Sequence, residues 1–421
     1  MIKTKILKEK GYNIHVIKTN KYKTSKIAID FNLPVTKENY IIYYFLASMM
    51  NEGSFLYKTR RSKAIKEEEL YNARYFISYN LMGDALVFNM SIFFINEEYI
   101  KEENYINDII DYFLSFVLNP NVKDNKFSLS MFRLVKKQIL DYINSINENA
   151  LYLANEKAFS YLDFFYTIYG KEKEIKKITP SILYDCYVSL LKDSLINVYI
   201  MGNTDVDNIA NIFKNKFKIN NNCKDNLNYY IKVKDKKTLV IKEEISVFKQ
   251  SHLVYLFNID NLTEKERNVT TVVFNYLLGS GGLNSKLYSI LREKKKYCYR
   301  VSSNILKYSN ILSISISYAK ENTNKIIKEI DNIIEDLACG NFDNQDLVYA
   351  INNLYETLEN EKEKDHIVLS YYIRKYLTKS YGINEVSKTL KLITKEDIMV
   401  LAKKIKSNLI FILSEANDEN N

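Results

Sequence analysis

Residues 178–201, ITPSILYDCYVSLLKDSLINVYIM, contain the pattern that decides the fold of this chain. Thr179 is a residue type that often caps the start of a helix, and Pro180 suits the first helical position. We therefore expect a helix over residues 180–192. The apolar run at 196–201 that follows has the length and composition of a buried strand.

The same succession of motifs returns in the second half of the chain. Three pairs of motifs match in the same order, at offsets of 212, 215 and 217 residues. The pairs are Tyr169-Gly170 with Tyr381-Gly382, Ile178-Thr179 with Ile393-Thr394, and Asn107-Asp108-Ile109-Ile110 with Asn324-Lys325-Ile326-Ile327. Coincidence in a chain of biased composition is the alternative. The nearly constant offset favours an internal repeat.

From this repeat we predict an α+β fold of two homologous halves, each with an antiparallel or mixed sheet packed with helices. The halves would cover residues 1–219 and 237–421, joined by an Asn- and Lys-rich linker at 220–236. A length of 421 residues suits more than one domain. The chain has only 10 glycines and 3 prolines, which argues against a β-sandwich with many tight turns.

Charge and cysteine content exclude several classes of protein. The 60 basic and 51 acidic residues give a net charge of +9, but the two signs are interspersed, so we expect no nucleic-acid interface. Four cysteines without a C-x-x-C motif are typical of reduced thiols in a cytoplasmic protein. The N-terminus lacks the apolar run of a signal peptide. The most apolar window, 41–50, has about half the length that spans a bilayer, so we expect no membrane association.

Common catalytic motifs are missing from the sequence. Its three histidines are His15, His252 and His366, and no two lie within one helical turn, so no helix can present a histidine pair to zinc. The sequence contains neither a G-x-S-x-G nucleophile motif nor a P-loop. These absences exclude the simplest zinc, serine-hydrolase and nucleotide-hydrolase interpretations.

The densest glycine cluster is Gly279-Ser280-Gly281-Gly282, between an apolar helix pattern at 269–278 and a second helix at 284–292. It has two interpretations: a flexible turn between helices, or a loop that lets a ligand approach the backbone closely. No strand precedes it, so a dinucleotide-binding motif is excluded.

Over nearly its whole length the chain resembles the pitrilysin/insulinase metallopeptidases and the processing-peptidase subunits among them. The resemblance rests on the two-half layout, on LLGSGGLNSKL at 277–287 and on LREKKKYCYRVSS at 291–303. MGNTD at 201–205 and the repeated Tyr-Gly and Ile-Thr pairs are similar to the ends of the family's halves. The resemblance implies that each half folds like a processing-peptidase half.

Active members of this family hold zinc with an H-x-x-E-H motif on the first long helix and with a distal glutamate. On this sequence the two histidine positions fall on Tyr44 and Ser48, the catalytic glutamate on Ala47, and the distal glutamate near Gln138. Tyrosine, serine and glutamine are poor zinc ligands, and alanine cannot accept a proton. The resemblance therefore implies that this chain binds no metal or other cofactor and hydrolyses no peptide unaided.

In the family, an arginine and a tyrosine seven positions apart in the second half face the zinc and polarise the scissile carbonyl. Arg292 and Tyr299 keep that spacing. Together with Gly279, Gly281 and Gly282, they are the residues that we expect to bind substrate. The alternative is that Arg292 is a cation favoured at a helix end and Tyr299 an ordinary strand residue.

The pattern of lost and retained residues is similar to that of the zinc-less chain in bacterial two-chain members of the family. It implies a noncatalytic subunit of a heterodimeric zinc metallopeptidase. Its partners would be a paralogous chain that carries H-x-x-E-H and zinc, and a peptide substrate. Two alternatives remain: a peptide-binding or scaffold protein without a role in catalysis, and an independent enzyme with unrelated chemistry.

Overall fold

The computed structural model of the chain describes residues 2–162, 170–203, 205–221, 223, 227–231, 233 and 239–416. Its contacts divide the chain into two units, Met1–Asn144 with Ile168–Tyr229 and Ser145–Thr167 with Tyr230–Asn421. Tyr169, Thr204 and much of the predicted linker at 220–236 lie outside the described residues.

Both units contain helices and strands. Up to residue 216 they are β1 (Lys3–Glu9), β2 (Tyr12–Lys18), β3 (Thr24–Pro34), α1 (Tyr40–Glu52), α2 (Arg60–Glu69), β4 (Arg74–Met82), β5 (Ala85–Ile95), α3 (Tyr105–Leu118), β6 (Val122–Lys123), β7 (Lys126–Phe127), α4 (Leu129–Asn147), α5 (Ala150–Ser160), α6 (Glu172–Lys177), α7 (Pro180–Asp193), β8 (Leu195–Gly202) and α8 (Val206–Lys216). From residue 240 they are β9 (Val240–Ile245), β10 (Ser251–Ile259), α9 (Thr271–Asn275), β11 (Cys298–Leu306), β12 (Ile311–Tyr318), α10 (Thr323–Cys339), α11 (Asn344–Glu361), α12 (Asp365–Thr378), α13 (Ile383–Leu390), α14 (Lys395–Ala402) and β13 (Ile405–Ser414). Turns of π-helix at Glu266–Thr270 and Tyr276–Ser280 extend α9 at both ends, and another forms at Tyr288–Lys294.

The repeated Ile-Thr motif caps equivalent helices. The Thr179 side chain accepts a hydrogen bond from the backbone N–H of Ile182 at 3.3 Å, and α7 begins at Pro180 as predicted. The Thr394 side chain accepts in the same way from the N–H of Asp397, also at 3.3 Å, before α14. Each cap satisfies a donor that the first turn of a helix leaves unpaired.

The two units contain sheets of the same topology. The six-stranded sheet has the order β1-β2-β8-β3-β5-β4, in which only β2 and β8 pair in parallel. The five-stranded sheet has the order β9-β13-β10-β12-β11, in which only β9 and β13 pair in parallel. The five strands of the second sheet correspond, in the order given, to the last five of the first: β9 to β2, β13 to β8, β10 to β3, β12 to β5 and β11 to β4. The predicted α+β fold of two similar halves is confirmed.

Strand β10 shows how the second unit forms its core. All nine of its residues are buried, and alternate side chains point to opposite faces of the sheet. Leu253 and Tyr255 belong to the larger apolar cluster, whereas Val254 and Leu256 pack with Ala154 and Ala158 of α5 on the other face. Ser145–Thr167, which contains α5, therefore belongs to the second unit. The predicted first half, residues 1–219, had included it. Small apolar residues on a helix do not indicate which sheet they cover.

Two further features bear on the predicted environment of the chain. Among the described residues, no helix combines the length and the apolar character needed to cross a membrane. The four cysteines are free thiols, and Cys298 is the buried one.

Candidate functional site

The positions predicted for the family's zinc motif, Tyr44, Ala47 and Ser48, lie on α1 in the first unit. The Ser48 hydroxyl donates a hydrogen bond to the backbone carbonyl of Tyr44 at 3.1 Å. The ring of Tyr44 packs edge-on against Tyr79, with centroids 6.1 Å apart, and burial raises the pKa of the Tyr44 phenol. Ala47 is buried and offers only a methyl group. None of these side chains supplies a metal ligand or a general base.

One turn beyond Ser48, Glu52 continues the same face of α1, because residues four apart lie above one another on a helix. Its buried carboxylate accepts a hydrogen bond from Nε of Arg60 at 2.6 Å and another from Arg60 Nη2. The same Nη2 donates to Oε1 of Gln138 on α4 at 3.4 Å. The Arg60 guanidinium therefore links α1, which carries the predicted zinc-motif positions, to α4, which carries the predicted distal position.

Arg60 and Glu52 are not among the residues predicted from the sequence. The spacing from Ser48 to Glu52 is visible in the sequence, but Arg60 comes from α2 and only the folded chain brings it to this point. Among the residues that the structure describes, no group of three His, Cys, Asp or Glu side chains is placed to hold a metal ion. The side chains at the four zinc-site positions do not fit a zinc ion, since none is histidine or carboxylate.

Arg292 lies in the second unit, on the π-helical turn Tyr288–Lys294. Its side chain is exposed, and the guanidinium carbon lies 4.9 Å from the centre of the Tyr288 ring. Burial raises the pKa of the nearby Cys298 thiol to about 11, and the positive charge of Arg292 opposes this rise. Arg292 forms no ion pair with the carboxylates of the described chain, so its charge remains available to a ligand.

Tyr299 lies at an irregularity of β11. Cys298 pairs with Tyr318 and Arg300 with Ser317, so Tyr299 is an extra residue in the ladder, a β-bulge. A regular strand would point Tyr299 and Arg300 to opposite faces, but both are exposed, and Tyr299 exposes 57% of its surface. The bulge thereby directs a tyrosine side chain away from the core.

The three glycines of the loop meet different requirements. A β-carbon at Gly279 would lie 2.5 Å from Oγ of Ser303, and one at Gly281 would lie 2.6 Å from the carbonyl oxygen of Tyr276. Gly282 has a φ of +62°, a conformation that favours glycine, and no atom lies within 4 Å of its hypothetical β-carbon. Close packing explains the first two glycines, and Gly282 is the one that faces open space.

Comparison with known proteins gives a match to a family model described as "Peptidase M16 inactive domain", over residues 177–354. A relative from Bacillus subtilis (strain 168), described as "Probable inactive metalloprotease YmfF", is 21% identical over 424 residues, which cover 96% of each chain.

Two solved structures have closely similar folds. A conserved protein from Enterococcus faecalis V583 has a TM-score of 0.91 and 22% identity, and covers 99% of this chain and 100% of its own. A peptidase M16 inactive domain from Pseudomonas fluorescens has a TM-score of 0.78 and 15% identity over 100% of both chains. At these identities the likeness concerns the fold.

Proposed function

Because the chain is a non-catalytic member of the pitrilysin (M16) metallopeptidase family, we propose that it serves as the noncatalytic subunit of a two-chain zinc peptidase. The partner is a paralogous chain with an intact H-x-x-E-H motif, and the ligand that both chains share is a peptide. We place the assembly in the cytoplasm, where the four free thiols would stay reduced.

The observation that carries this proposal is the state of Arg292 and Tyr299. Both side chains are exposed, and neither forms a hydrogen bond or an ion pair with any residue that the structure describes. Four of four zinc-site positions lack a usable group, whereas these two donors persist in accessible positions. The β-bulge leaves the ring and hydroxyl of Tyr299 accessible, which supports a role in ligand binding.

The chemistry available to this pair is binding and charge stabilisation. The Arg292 guanidinium can donate hydrogen bonds to a carbonyl oxygen or two parallel ones to the two oxygens of a carboxylate, and the Tyr299 hydroxyl can donate one. Donors fixed near a carbonyl stabilise the negative charge that develops when it is attacked. Zinc in the partner would supply the hydrolytic chemistry, and this chain would bind and orient the peptide.

The first experiment identifies the partner. The tagged full-length chain is purified from native cells, and stoichiometric companions are identified by mass spectrometry. We expect a chain with an intact H-x-x-E-H motif. Recovery of this chain alone, or with companions that lack the motif, would contradict the heterodimer.

The second experiment tests the role of the two donors in the reconstituted complex. Arg292→Ala should lower peptide turnover by ~10²–10³, the usual cost of removing such a donor, and Tyr299→Phe should lower it less. Arg300→Ala is the matched control, since Arg300 is an exposed arginine next to Tyr299 on β11. Size-exclusion chromatography verifies that each variant assembles. If Arg292→Ala changes peptide affinity but not turnover, the chain is a peptide-binding scaffold instead.

A further inference from the structure

The second unit contains a cavity of about 270 Å³. Neither Arg292 nor Tyr299 is among the residues that line it. Its wall combines the π-helical turn before α9, the end of β11, and helices α11 to α13. Three cationic side chains line it: Arg267, Lys307 and Arg374. None of the described residues that line this cavity carries a carboxylate.

Neutral groups hold the three cations in place. Lys307 Nζ donates a hydrogen bond to Oδ1 of Asn268 at 2.7 Å. The guanidinium of Arg374 lies 4.2 Å from the ring centre of Tyr371. That of Arg267 lies 4.4 Å from the ring centre of Tyr230 and donates to Asn310. These contacts orient the cations without neutralising them.

Two carboxylates of the neighbouring segments form ion pairs with lysines outside the cavity. Glu266, next to Arg267 in the sequence, pairs with Lys404 at 2.7 Å. Asp260 lines an adjoining cavity that shares Arg267, and pairs with Lys406 at 2.7 Å. Glu361 acts electrostatically on Tyr371 but forms no ion pair with the three cations in the described part of the chain.

The two arginines of the cavity act electrostatically on Lys307. Burial, together with the charges of Arg374 and Arg267, lowers the pKa of Lys307 to about 8. Burial also lowers the pKa of Arg267. The cavity therefore brings three positive charges into a partly buried space, and an anion bound among them would stabilise the folded chain.

We propose that this cavity binds a small phosphomonoester, with Arg267, Lys307 and Arg374 around the phosphate. A phosphate dianion balances more of the triple charge than a carboxylate does, and guanidinium groups match its oxygens bidentately. Asn304 and Ser380 offer further polar contacts in the wall. Leu354, Tyr381 and Val386 give one side an apolar character that suits an organic group. The cavity volume lies just below the usual range of ligand pockets, so the molecule is small.

Isothermal titration calorimetry of the full-length chain at constant ionic strength tests this site. The probes are phenyl phosphate, inorganic phosphate and benzoate. We expect saturable binding of both phosphate probes, tighter binding of phenyl phosphate because its ring reaches the apolar wall, and no measurable binding of benzoate. Saturable binding of benzoate as tight as that of phenyl phosphate, or no binding of either phosphate probe, would overturn the proposal. Binding of inorganic phosphate alone would overturn the assignment to a monoester.

Variants locate the binding. Arg374→Gln and Lys307→Gln should each weaken phenyl phosphate binding by about tenfold or more, because each removes a charged hydrogen-bond donor. Arg300→Gln, an exposed arginine of the same unit outside the cavity, should leave the affinity unchanged. Circular dichroism verifies the fold, and having two cavity variants allows one to be discarded if it misfolds. An affinity that is the same in all variants would place the phosphate elsewhere and refute the site.

Discussion

Replacing Gly279 with alanine introduces a methyl group into the most tightly packed point of the glycine-rich loop. The new β-carbon would lie 2.5 Å from Oγ of Ser303 and 2.8 Å from Cδ1 of Leu287. Ser303 is held by a hydrogen bond of 2.6 Å from its hydroxyl to Oδ1 of Asn275, and Leu287 is fully buried. The methyl group can enter only if one of these side chains moves.

An extra methyl group in a well-packed core usually costs ~1–3 kcal/mol. In a unit of this size, each kcal/mol lowers the melting temperature by about 2–4 °C. We therefore expect Gly279→Ala to lower the melting transition by roughly 2–12 °C, measured by circular dichroism. The Ser303→Ala substitution, made in the Gly279→Ala background, removes the nearest atom and should restore part of the loss.

Gly282→Asn is the control for this experiment, since asparagine tolerates positive φ and the position faces open space. It should change stability by less than about 1 kcal/mol. An unchanged melting transition in Gly279→Ala, or a larger loss in Gly282→Asn, would refute the argument that close packing sets the glycine at position 279.

Two further predictions concern the first unit. Glu52→Gln removes the buried carboxylate that binds Arg60, so we expect a loss of ~1–3 kcal/mol in urea unfolding; Glu172→Gln, in an exposed pair with Lys176, should cost under about 1 kcal/mol, and equal losses would contradict the role of burial. His15 is fully buried and stacks on Tyr199, and its burial lowers its pKa from 6.5 to about 4. Between pH 6.5 and 4, His15 is protonated in the unfolded chain but stays neutral in the folded chain. The free energy of unfolding therefore falls by up to about 3 kcal/mol as the pH drops from 6.5 to 4. His15→Gln should flatten this part of the pH profile, and parallel profiles of the two proteins would count against the argument.

Much of the fold was predictable because its signals are local. The start of α7 was predictable because a capping threonine followed by proline favours a helix start in any context. The recurrence of the Ile-Thr motif before α14 indicated a second copy of this arrangement. The residue types at positions 44, 47, 48 and 138 likewise predict the loss of the family's zinc site without any coordinates, since ligand chemistry depends on the side chain itself. The seven-residue spacing of Arg292 and Tyr299 was also legible in the sequence.

Other features depend on contacts between segments that are distant in the sequence. The sequence by itself determined the two α+β halves, and it predicts the loss of the zinc ligands and the retention of Arg292 and Tyr299. Only the tertiary structure decided that α5 packs on the second sheet, that a bulge exposes Tyr299, that Arg60 joins Glu52 to Gln138, and that three cations meet in one cavity. The physical reason is that caps and periodicity act within a few residues, whereas burial and charge clustering are sums over groups that folding alone brings together.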